Sequence, residues 1–352
     1  MTHILLVLCG GTICTAVKKT EKGVFRSIDQ NADVLLTKNY YASDSAFKEE
    51  VQFTSSRNFE ILSENMTIDK WNVLIDYFRG VSVRDYDGII IAHGTDTLAY
   101  SAALFSLVLA GMGKPAFFVS SNEPLSSPTA NGNINFQKAV ECICMGIGSN
   151  VYAVYRNPSS GRVLLHLGSR LMQCGNYSED FYSQGSEDIT DLSAEKCQRL
   201  FSDVSISCPV ELSGNRGWKL RSCVLKIDPY VGLNYEAFRY DGYDAILHGA
   251  YHSGTACTEQ TEKNRAYSAQ SILRLLDLCG EEKDVYISPA KNEGEIYDSV
   301  GIMARHGGGK IRFLYGCTNE MTYVKLLLAY SLHVDDVETF MRTQYNGEMI
   351  DQ

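Results

Sequence analysis

The sequence predicts an α/β protein with a larger N-terminal domain, built on a doubly wound and mostly parallel sheet, and a smaller C-terminal α/β domain. Continuous apolar runs, such as residues 4–8 and 89–92, alternate with segments whose apolar residues recur at helical spacing. This alternation is typical of parallel strands covered by helices on both faces. The chain has 352 residues, 45% of them hydrophobic and 21% charged, a globular balance at a length that favours two domains.

In the first domain, apolar runs end at glycine-containing turns, as buried parallel strands do, and Thr67 is predicted to cap the helix that follows it. A long apolar helix after residue 97 is closed by two glycines before a proline. The predicted elements are, in order, a strand at 4–8, a helix at 68–78, a strand at 89–92, a helix at 98–110, a strand at 116–120, a helix at 133–145 and a strand at 151–155.

Residues 184–218 have weak periodicity and mixed polar composition, so we place the domain boundary there. The predicted N-terminal domain covers 1–195, a linker covers 196–218, and the C-terminal domain covers 219–352. Shorter elements follow the linker. They are a strand at 224–227, a strand at 244–248, a helix at 265–278, strands at 285–288 and 311–315, and a helix at 320–332.

The charge and the cysteine content of the chain argue against several kinds of partner and bound group. The chain carries 32 basic and 42 acidic residues, a net charge of -10, and has no Lys/Arg-rich stretch, which argues against nucleic acid or an anionic membrane as partner. No apolar run approaches the roughly 18 residues of a membrane helix, and the opening run is too short for a signal peptide. Eleven cysteines, an odd number without Cys-x-x-Cys pairs, favour reduced thiols in a cytoplasmic protein, with neither metal nor cofactor.

Two predicted strands end in glycine-flanked threonines, Gly10-Gly11-Thr12-Ile13 and Gly94-Thr95-Asp96-Thr97. Ligands of open parallel sheets bind beyond the carboxyl ends of the strands, where glycines let a substrate approach the backbone. A threonine hydroxyl there is a candidate nucleophile if a base assists it. The alternative is that both turns are structural, with Thr12 and Thr97 as helix caps. Of the cysteines beside Thr12, Cys9 is predicted to be buried and inert, whereas a reactive Cys14 stays open.

These two motifs resemble the signatures of the bacterial L-asparaginase family, particularly its cytoplasmic type, and the resemblance extends over essentially the whole chain. Further segments resemble family segments in the same order; they are Ser63-Glu64-Asn65-Met66-Thr67, Ser120-Ser121-Asn122-Glu123-Pro124-Leu125, Asn131-Gly132-Asn133-Ile134-Asn135, and Thr318-x-Glu320 with Lys325-Leu326.

The resemblance implies a role for each matching residue. Thr12 would attack the side-chain amide, giving an acyl-enzyme and ammonia, and Thr95 with Asp96 would form part of a second catalytic group. Asp96 would also hold the substrate α-amino group. Ser63 would bind the α-carboxylate, and Glu64 would lie beside Ser63. Backbone N–H groups near Thr12 and at Thr95 would stabilise the oxyanion, while Gly11 and Gly94 would border the substrate.

Two functions expected from the family are missing. The family has a lysine three residues beyond Gly-x-Arg, but after Gly168-Ser169-Arg170 that position is Gln173. A glutamine neither accepts a proton nor carries the charge that lowers a threonine pKa. The family also has a loop tyrosine after the first threonine, where this chain reads Lys22-Gly23-Val24-Phe25-Arg26. The candidates for replacing the lysine are Lys138, Arg162 and Arg170.

The sequence therefore supports two main hypotheses. The first is an amidohydrolase that acts on L-asparagine or a related side-chain amide. The second is a catalytically impaired protein of the same fold that binds an amino acid as a sensor or regulatory subunit. Hydrolysis of a bulkier amide is a third possibility. The expected partners are a small amino-acid substrate and further copies of the chain, as a homodimer or homotetramer.

Overall fold

A computed structural model describes residues 1–20, 23–212, 217–260, 267–291 and 297–350. The chain divides into two compact units, Met1–Gly217 with Tyr345–Gly347, and Trp218–Gln344 with Glu348–Gln352. The predicted linker, residues 196–218, groups with the first unit up to residue 217. The predicted domain limits stay a prediction.

The first unit contains eleven described strands and five described α-helices. The strands are β1 (Thr2–Gly10), β2 (Thr15–Thr20), β3 (Gly23–Ile28), β4 (Val51–Ile61), β5 (Gly88–Ala92), β6 (Ala116–Val119), β7 (Val151–Arg156), β8 (Val163–Leu167), β9 (Leu171–Met172), β10 (Tyr182–Ser183) and β11 (Glu187–Asp188). The helices are α1 (Ala32–Tyr41), α2 (Ile68–Gly80), α3 (Leu98–Val108), α4 (Gly132–Cys144) and α5 (Ala194–Arg199).

Seven of these strands form one sheet, in the order β11-β8-β7-β6-β5-β1-β4. The strands from β4 to β7 in this order are parallel, and β8 and β11 add an antiparallel edge. Two antiparallel strand pairs, β2 with β3 and β9 with β10, lie outside this sheet. The predicted α/β class with a mostly parallel sheet is therefore confirmed.

Helices cover both faces of the large sheet. Helices α1 and α4 bury one face of β1, since alternate side chains of that strand share a core with them; the core includes Ile4, Leu6, Leu8, Leu36, Tyr40, Phe136 and Val140. On the other face, the Phe105 ring of α3 contacts Phe118 of β6 and Phe78 of α2. Trp71 Nε1 donates to Ser101 Oγ at 2.9 Å, which ties α2 to α3.

The second unit is a smaller α/β structure with four parallel strands. The strands β12 (Val224–Ile227), β13 (Ala245–Gly249), β14 (Asp284–Ser288) and β15 (Ile311–Phe313) pair in chain order. The helices are α6 (Ile272–Cys279), α7 (Asp298–His306), α8 (Asn319–Ser331) and α9 (Val337–Arg342). Lys325 of α8 is fully buried and pairs with buried Glu348 at 2.8 Å. Its Nζ also donates to Thr343 O at 2.6 Å, which anchors the C-terminal segment.

The predicted helix at 265–278 is wrong at its start. The helix begins at Ile272, because the Ser271 side chain caps it by accepting from Leu273 N, and residues 267–271 form a bridge and a turn. Residues 265 and 266 lie outside the described part of the chain. Thr67, by contrast, caps α2 as predicted, accepting from Lys70 N.

Candidate active site

The carboxyl ends of three neighbouring strands meet at one edge of the large sheet. Leu8 of β1 pairs with Ala92 of β5, and Gly10 pairs with Ile61 of β4. Just beyond these pairs, Gly11 N donates to Ile61 O at 2.7 Å. Three short 3-10 turns follow directly, at Thr12–Cys14, Ser63–Asn65 and Thr95–Thr97. The fold therefore brings together the three loops that the sequence marks as candidates.

Glycines allow these loops to touch. Gly11 has a φ of 77°, and a Cβ added there would lie 2.1 Å from the Cα of Gly94. A Cβ added at Gly94 would lie 2.4 Å from Ser63 Oγ. Real Cβ atoms do not approach other atoms this closely, so neither position has space for a side chain. The backbones that lead into Thr12 and Thr95 are consequently in direct contact.

The Asp96 carboxylate is held by Ser63. The buried Ser63 hydroxyl donates to Asp96 Oδ2 at 3.0 Å and accepts from Asp96 N at 3.1 Å. Thr97 Oγ1 donates to Ser63 O at 3.0 Å and makes no side-chain capping bond to helix α3. Thr97 therefore stands at the N-cap position of α3, as the alternative expects, but its hydroxyl links two loops instead of capping the helix. Glu64 is exposed beside this link.

The half-buried Thr12 opens its turn, and its carbonyl oxygen accepts from Thr15 Oγ1 at 2.9 Å. The cysteines on either side are poor nucleophiles. Burial raises the pKa of the Cys14 thiol to about 12, and burial raises the pKa of Cys9 still further. Both thiols therefore stay protonated at neutral pH, and a thiol lacks the reactivity of a thiolate. Thr12 is left as the candidate nucleophile of this turn.

His93, which precedes Gly94, is a structural residue rather than a base. Its Nδ1–H donates to Gly94 O at 2.8 Å, and its buried Nε2 has no hydrogen-bond partner among the described residues. Burial lowers the pKa of His93 to about 4, against the smaller opposing effect of the Gly94 hydrogen bond. The ring is therefore neutral at physiological pH.

Gln173 lies beside Thr95, immediately after strand β9. Its Nε2 donates to Thr95 O at 3.0 Å. The three cations that we considered as substitutes for the family lysine are engaged elsewhere. Lys138 pairs with Glu141 at 3.0 Å, and Arg162 pairs with Asp188 at 3.6 Å. Arg170 donates to Gly347 O.

A cleft of about 410 Å³ opens beside Thr95 and Asp96. Its other described lining residues are Asn122, Tyr155, Gln173, Cys174, Gly175, Asn176, Ser178 and Glu179. Neither Lys138 nor Arg162 nor Arg170 is among them. The volume falls within the range of about 300–1,000 Å³ that is usual for small-molecule sites.

Asn122 reaches the cleft from the loop after β6. Asn122 and Asn131 bond reciprocally, each side-chain oxygen accepting from the other residue's backbone N–H, at 3.0 and 3.1 Å. Asn122 Nδ2 then donates to Glu179 Oε2 at 3.3 Å. Sequence reasoning singled out the loop but assigned no role to Asn122, and it missed Glu179 altogether. The polar run 175–180 that follows Gln173 was the available signal.

The N-terminal domain model of the asparaginase family matches residues 3–194, which is more than half of the chain. The chain belongs to the asparaginase family. The resemblance inferred from the threonine motifs is thereby confirmed, and the matched range includes every residue of the three loops and the cleft.

Individual relatives of this asparaginase-family protein are distant. A glutamyl-tRNA(Gln) amidotransferase subunit of Methanopyrus kandleri is 24% identical over 307 residues, covering 82% of this chain and 64% of that protein. L-asparaginase 1 of Escherichia coli K12 is 37% identical over 78 residues, 22% of this chain and 23% of that enzyme. The first curated amidotransferase relatives are longer, and the matches span 27% to 64% of them.

Solved structures extend the likeness of fold to the whole chain. The crystal structure of L-asparaginase I from Vibrio cholerae matches with a TM-score of 0.68, at 21% identity, over 99% of both chains. At this identity the match shows a shared fold.

Within the described residues, no helix is long and apolar enough to cross a membrane. The same residues contain no group of three or more His, Cys, Asp or Glu side chains that could hold a metal ion.

Proposed function

We propose that this asparaginase-family protein hydrolyses the side-chain amide of L-asparagine, or a related side-chain amide, through an acyl-enzyme on Thr12. The observation that carries the proposal is the direct contact between Gly11 and Gly94. This contact holds the turn bearing Thr12 against the turn bearing Thr95 and Asp96. The Ser63 hydrogen bonds keep the Asp96 carboxylate at the same place.

The reaction uses these residues in two steps. Thr12 Oγ attacks the amide carbon, the C–N bond breaks, and nitrogen leaves as ammonia with the hydroxyl proton. Water then attacks the Thr12 ester, which releases the carboxylate and restores the hydroxyl. Backbone N–H groups near Thr12 and at Thr95 stabilise the oxyanion, at roughly 3 kcal/mol for each donor.

Substrate orientation is assigned to the polar side chains of the same edge. The Asp96 carboxylate takes the α-amino group, and Ser63 contributes a hydroxyl to the α-carboxylate. Ser63 already donates its single proton to Asp96. Substrate binding therefore requires that this hydroxyl turn from Asp96 toward the carboxylate.

Ammonia release from L-asparagine, L-glutamine and a panel of small side-chain amides tests the proposal. We expect release by the wild type and a loss of at least about 10³-fold for Thr12→Ala, because removing a nucleophile leaves little residual catalysis. Thr15→Ala is the matched control, since the Thr15 hydroxyl is buried and already donates to Thr12 O, and it should retain turnover. Wild-type release no greater than that of Thr12→Ala, across the panel, contradicts the proposal.

A second candidate function is amino-acid binding without efficient turnover, as a sensor or regulatory subunit. Gln173 favours it, because a neutral amide beside Thr95 can neither accept the Thr proton nor lower its pKa. Calorimetry with L-aspartate and L-asparagine distinguishes the two. Saturable binding without ammonia release supports the binder, and release in step with binding supports the hydrolase.

Assembly and location follow from the same proposal. We expect a homodimer or homotetramer in the cytoplasm, with an amino-acid substrate and no nucleic acid or membrane partner. Sedimentation velocity on the purified chain tests the oligomeric state, and a single monomeric species contradicts that part.

A further inference from the structure

The cleft beside Asp96 carries two carboxylates and no lining cation. Asp96 and Glu179 are both exposed toward solvent, and the remaining lining residues are uncharged at neutral pH. Among the described residues that line the cleft, none is Lys, Arg or His. A cleft with this composition attracts positive charge and repels a second substrate carboxylate.

Neither carboxylate is neutralised within the described part of the chain. Asp96 accepts from the Ser63 hydroxyl and Glu179 accepts from the Asn122 amide, so both described partners are neutral donors. Neither residue belongs to any of the described salt bridges, unlike Glu60 and Glu141, which pair with basic side chains in the same unit.

Cys174 also lines the cleft, and the pKa of its thiol reflects the electrostatic potential there. Burial, and after it the nearby carboxylates of Asp180, Asp96 and Glu179, together raise the pKa of Cys174 to about 12. Three carboxylates thus act on one half-buried group, and their field favours a cation at this place.

The cleft also has more volume than asparagine fills. At the roughly 30 Å³ that a water molecule occupies in the liquid, the nine non-hydrogen atoms of asparagine would take about 270 Å³. This is a generous estimate, because bonded atoms lie closer together than water molecules. The cleft of about 410 Å³ exceeds this volume. Thr12 and Ser63 are not among its described lining residues, so part of a bound asparagine would lie outside the cleft and leave space in it for further substrate atoms.

We propose that the cleft binds a second cationic nitrogen of the substrate, carried on the amide nitrogen and held by Glu179, in addition to the α-amino group held by Asp96. The preferred substrate is then a side-chain amide of aspartate extended by a short ammonium-bearing group. This inference rests on the proposed function. Gln173 fits it, because a neutral amide does not repel the cationic extension as the family lysine would.

The chemistry of the proposed substrate balances without a further reactant. Thr12 Oγ bonds to the amide carbon, the C–N bond breaks, and the nitrogen takes the hydroxyl proton to leave as an amine that still carries its ammonium group. Water hydrolyses the Thr12 ester to aspartate. One amide and one water thus give one amino acid and one amine.

Two amides of the L-aspartate side chain, the aminoethyl amide and the propyl amide, test the inference. They are similar in length, but only the aminoethyl group carries a positive charge. Calorimetry on Thr12→Ala measures binding without turnover, and amine release by the wild type measures hydrolysis. We expect the aminoethyl amide to bind about fivefold more tightly, as for a partly exposed ion pair, with a preference that falls as salt rises.

Glu179→Gln, combined with Thr12→Ala, should bring this ratio of affinities close to one. Glu195→Gln is the matched control, because Glu195 is exposed on α5, pairs with Arg199 at 2.7 Å and does not line the cleft. It should leave the ratio unchanged.

The outcomes separate this inference from the proposed function. Hydrolysis of asparagine and of both amides, with equal affinities, overturns the inference and leaves the proposed function standing. Preferential, Glu179-dependent binding of the aminoethyl amide, with no hydrolysis of this amide or of asparagine, supports the inference about the cleft and overturns the hydrolase. Hydrolysis of asparagine, with neither extended amide bound nor cleaved, overturns the inference and leaves the proposed function standing.

Discussion

Gln173 places an uncharged amide against the backbone of Thr95. We predict that this is the position at which the family has a lysine. The amide can orient the Thr95 carbonyl through its hydrogen bond, but it cannot take up a proton. The Asp96 carboxylate beside it correspondingly lacks a described ionic partner. We therefore propose that Gln173 limits the turnover of this protein.

Gln173→Lys should raise the rate of asparagine hydrolysis by about tenfold or more, because a positioned general base typically contributes at least that much. Gln173→Met is the size-matched control, and it should not raise the rate, since it adds neither a base nor a charge. Steady-state ammonia release measures both. An unchanged rate in a Gln173→Lys protein that unfolds at the wild-type urea concentration would show that Gln173 does not occupy the lysine position.

At the scale of elements, the site depends on how closely the turns after β1 and β5 approach each other. Their backbones touch where Gly11 meets Gly94. Gly10 is packed as closely against β4, since a Cβ there would lie 2.1 Å from Ile61 O. The packing of turn against turn thus positions Thr12 before any side chain of the site contributes.

Gly11→Ala should lower the free energy of unfolding by at least about 2 kcal/mol and abolish turnover. The added Cβ would collide with the backbone of Gly94, and the φ of 77° is strained for alanine. Gly148→Ala is the control, because a Cβ there meets no atom within 4 Å. Urea unfolding and ammonia release test the pair. Wild-type stability and activity in Gly11→Ala would be inconsistent with the contact.

At the scale of the molecule, buried neutral histidines link stability to pH. Burial lowers the pKa of His93 to about 4 and that of His166 to about 3, and both lie in the first unit. An unfolded histidine titrates near 6.5. Below that pH the unfolded chain binds protons that the folded chain excludes, so the stabilisation present above pH 6.5 is lost as the pH falls toward 4.

We expect the free energy of unfolding to fall between pH 7 and pH 4.5, with His166 contributing on the order of 2 kcal/mol. His166→Gln keeps a polar side chain that can reach Ser183 but cannot titrate, so its pH slope should be shallower than that of the wild type. The exposed His306→Gln should keep the wild-type slope. Urea unfolding followed by tryptophan fluorescence measures all three, and identical slopes for His166→Gln and wild type would contradict this account.

Much of the fold could be predicted because its central strands are buried on both faces. β1 and β5 appear in the sequence as continuous apolar runs. β4 was missed because it is an edge strand whose polar residues are exposed or half-buried, so no apolar run marks it. Helix α1 was also missed, since its exposed face carries polar and apolar residues alike.

The residues of the candidate site likewise differ in whether the sequence could place them. Thr12, Thr95 and Asp96 could be placed because each directly follows a recognisable buried strand. Glu179 could not be placed, because it enters the cleft from the segment between β9 and β10 and bonds to Asn122, 57 residues earlier in the chain. Spacing along the sequence carries no signal for such a contact.

The contact between Gly11 and Gly94 also determines which parts of the protein can accept substitutions during evolution. No side chain fits at either glycine, so the turns that bear Thr12 and Thr95 can evolve only as a unit. Gln173 and Glu179 lie instead on the segment around β9 and β10, which has no part in that contact. Substitutions there can change the lining of the cleft while Thr12, the proposed nucleophile, keeps its place. Directed evolution of new amidase specificities would therefore begin with residues 173–179.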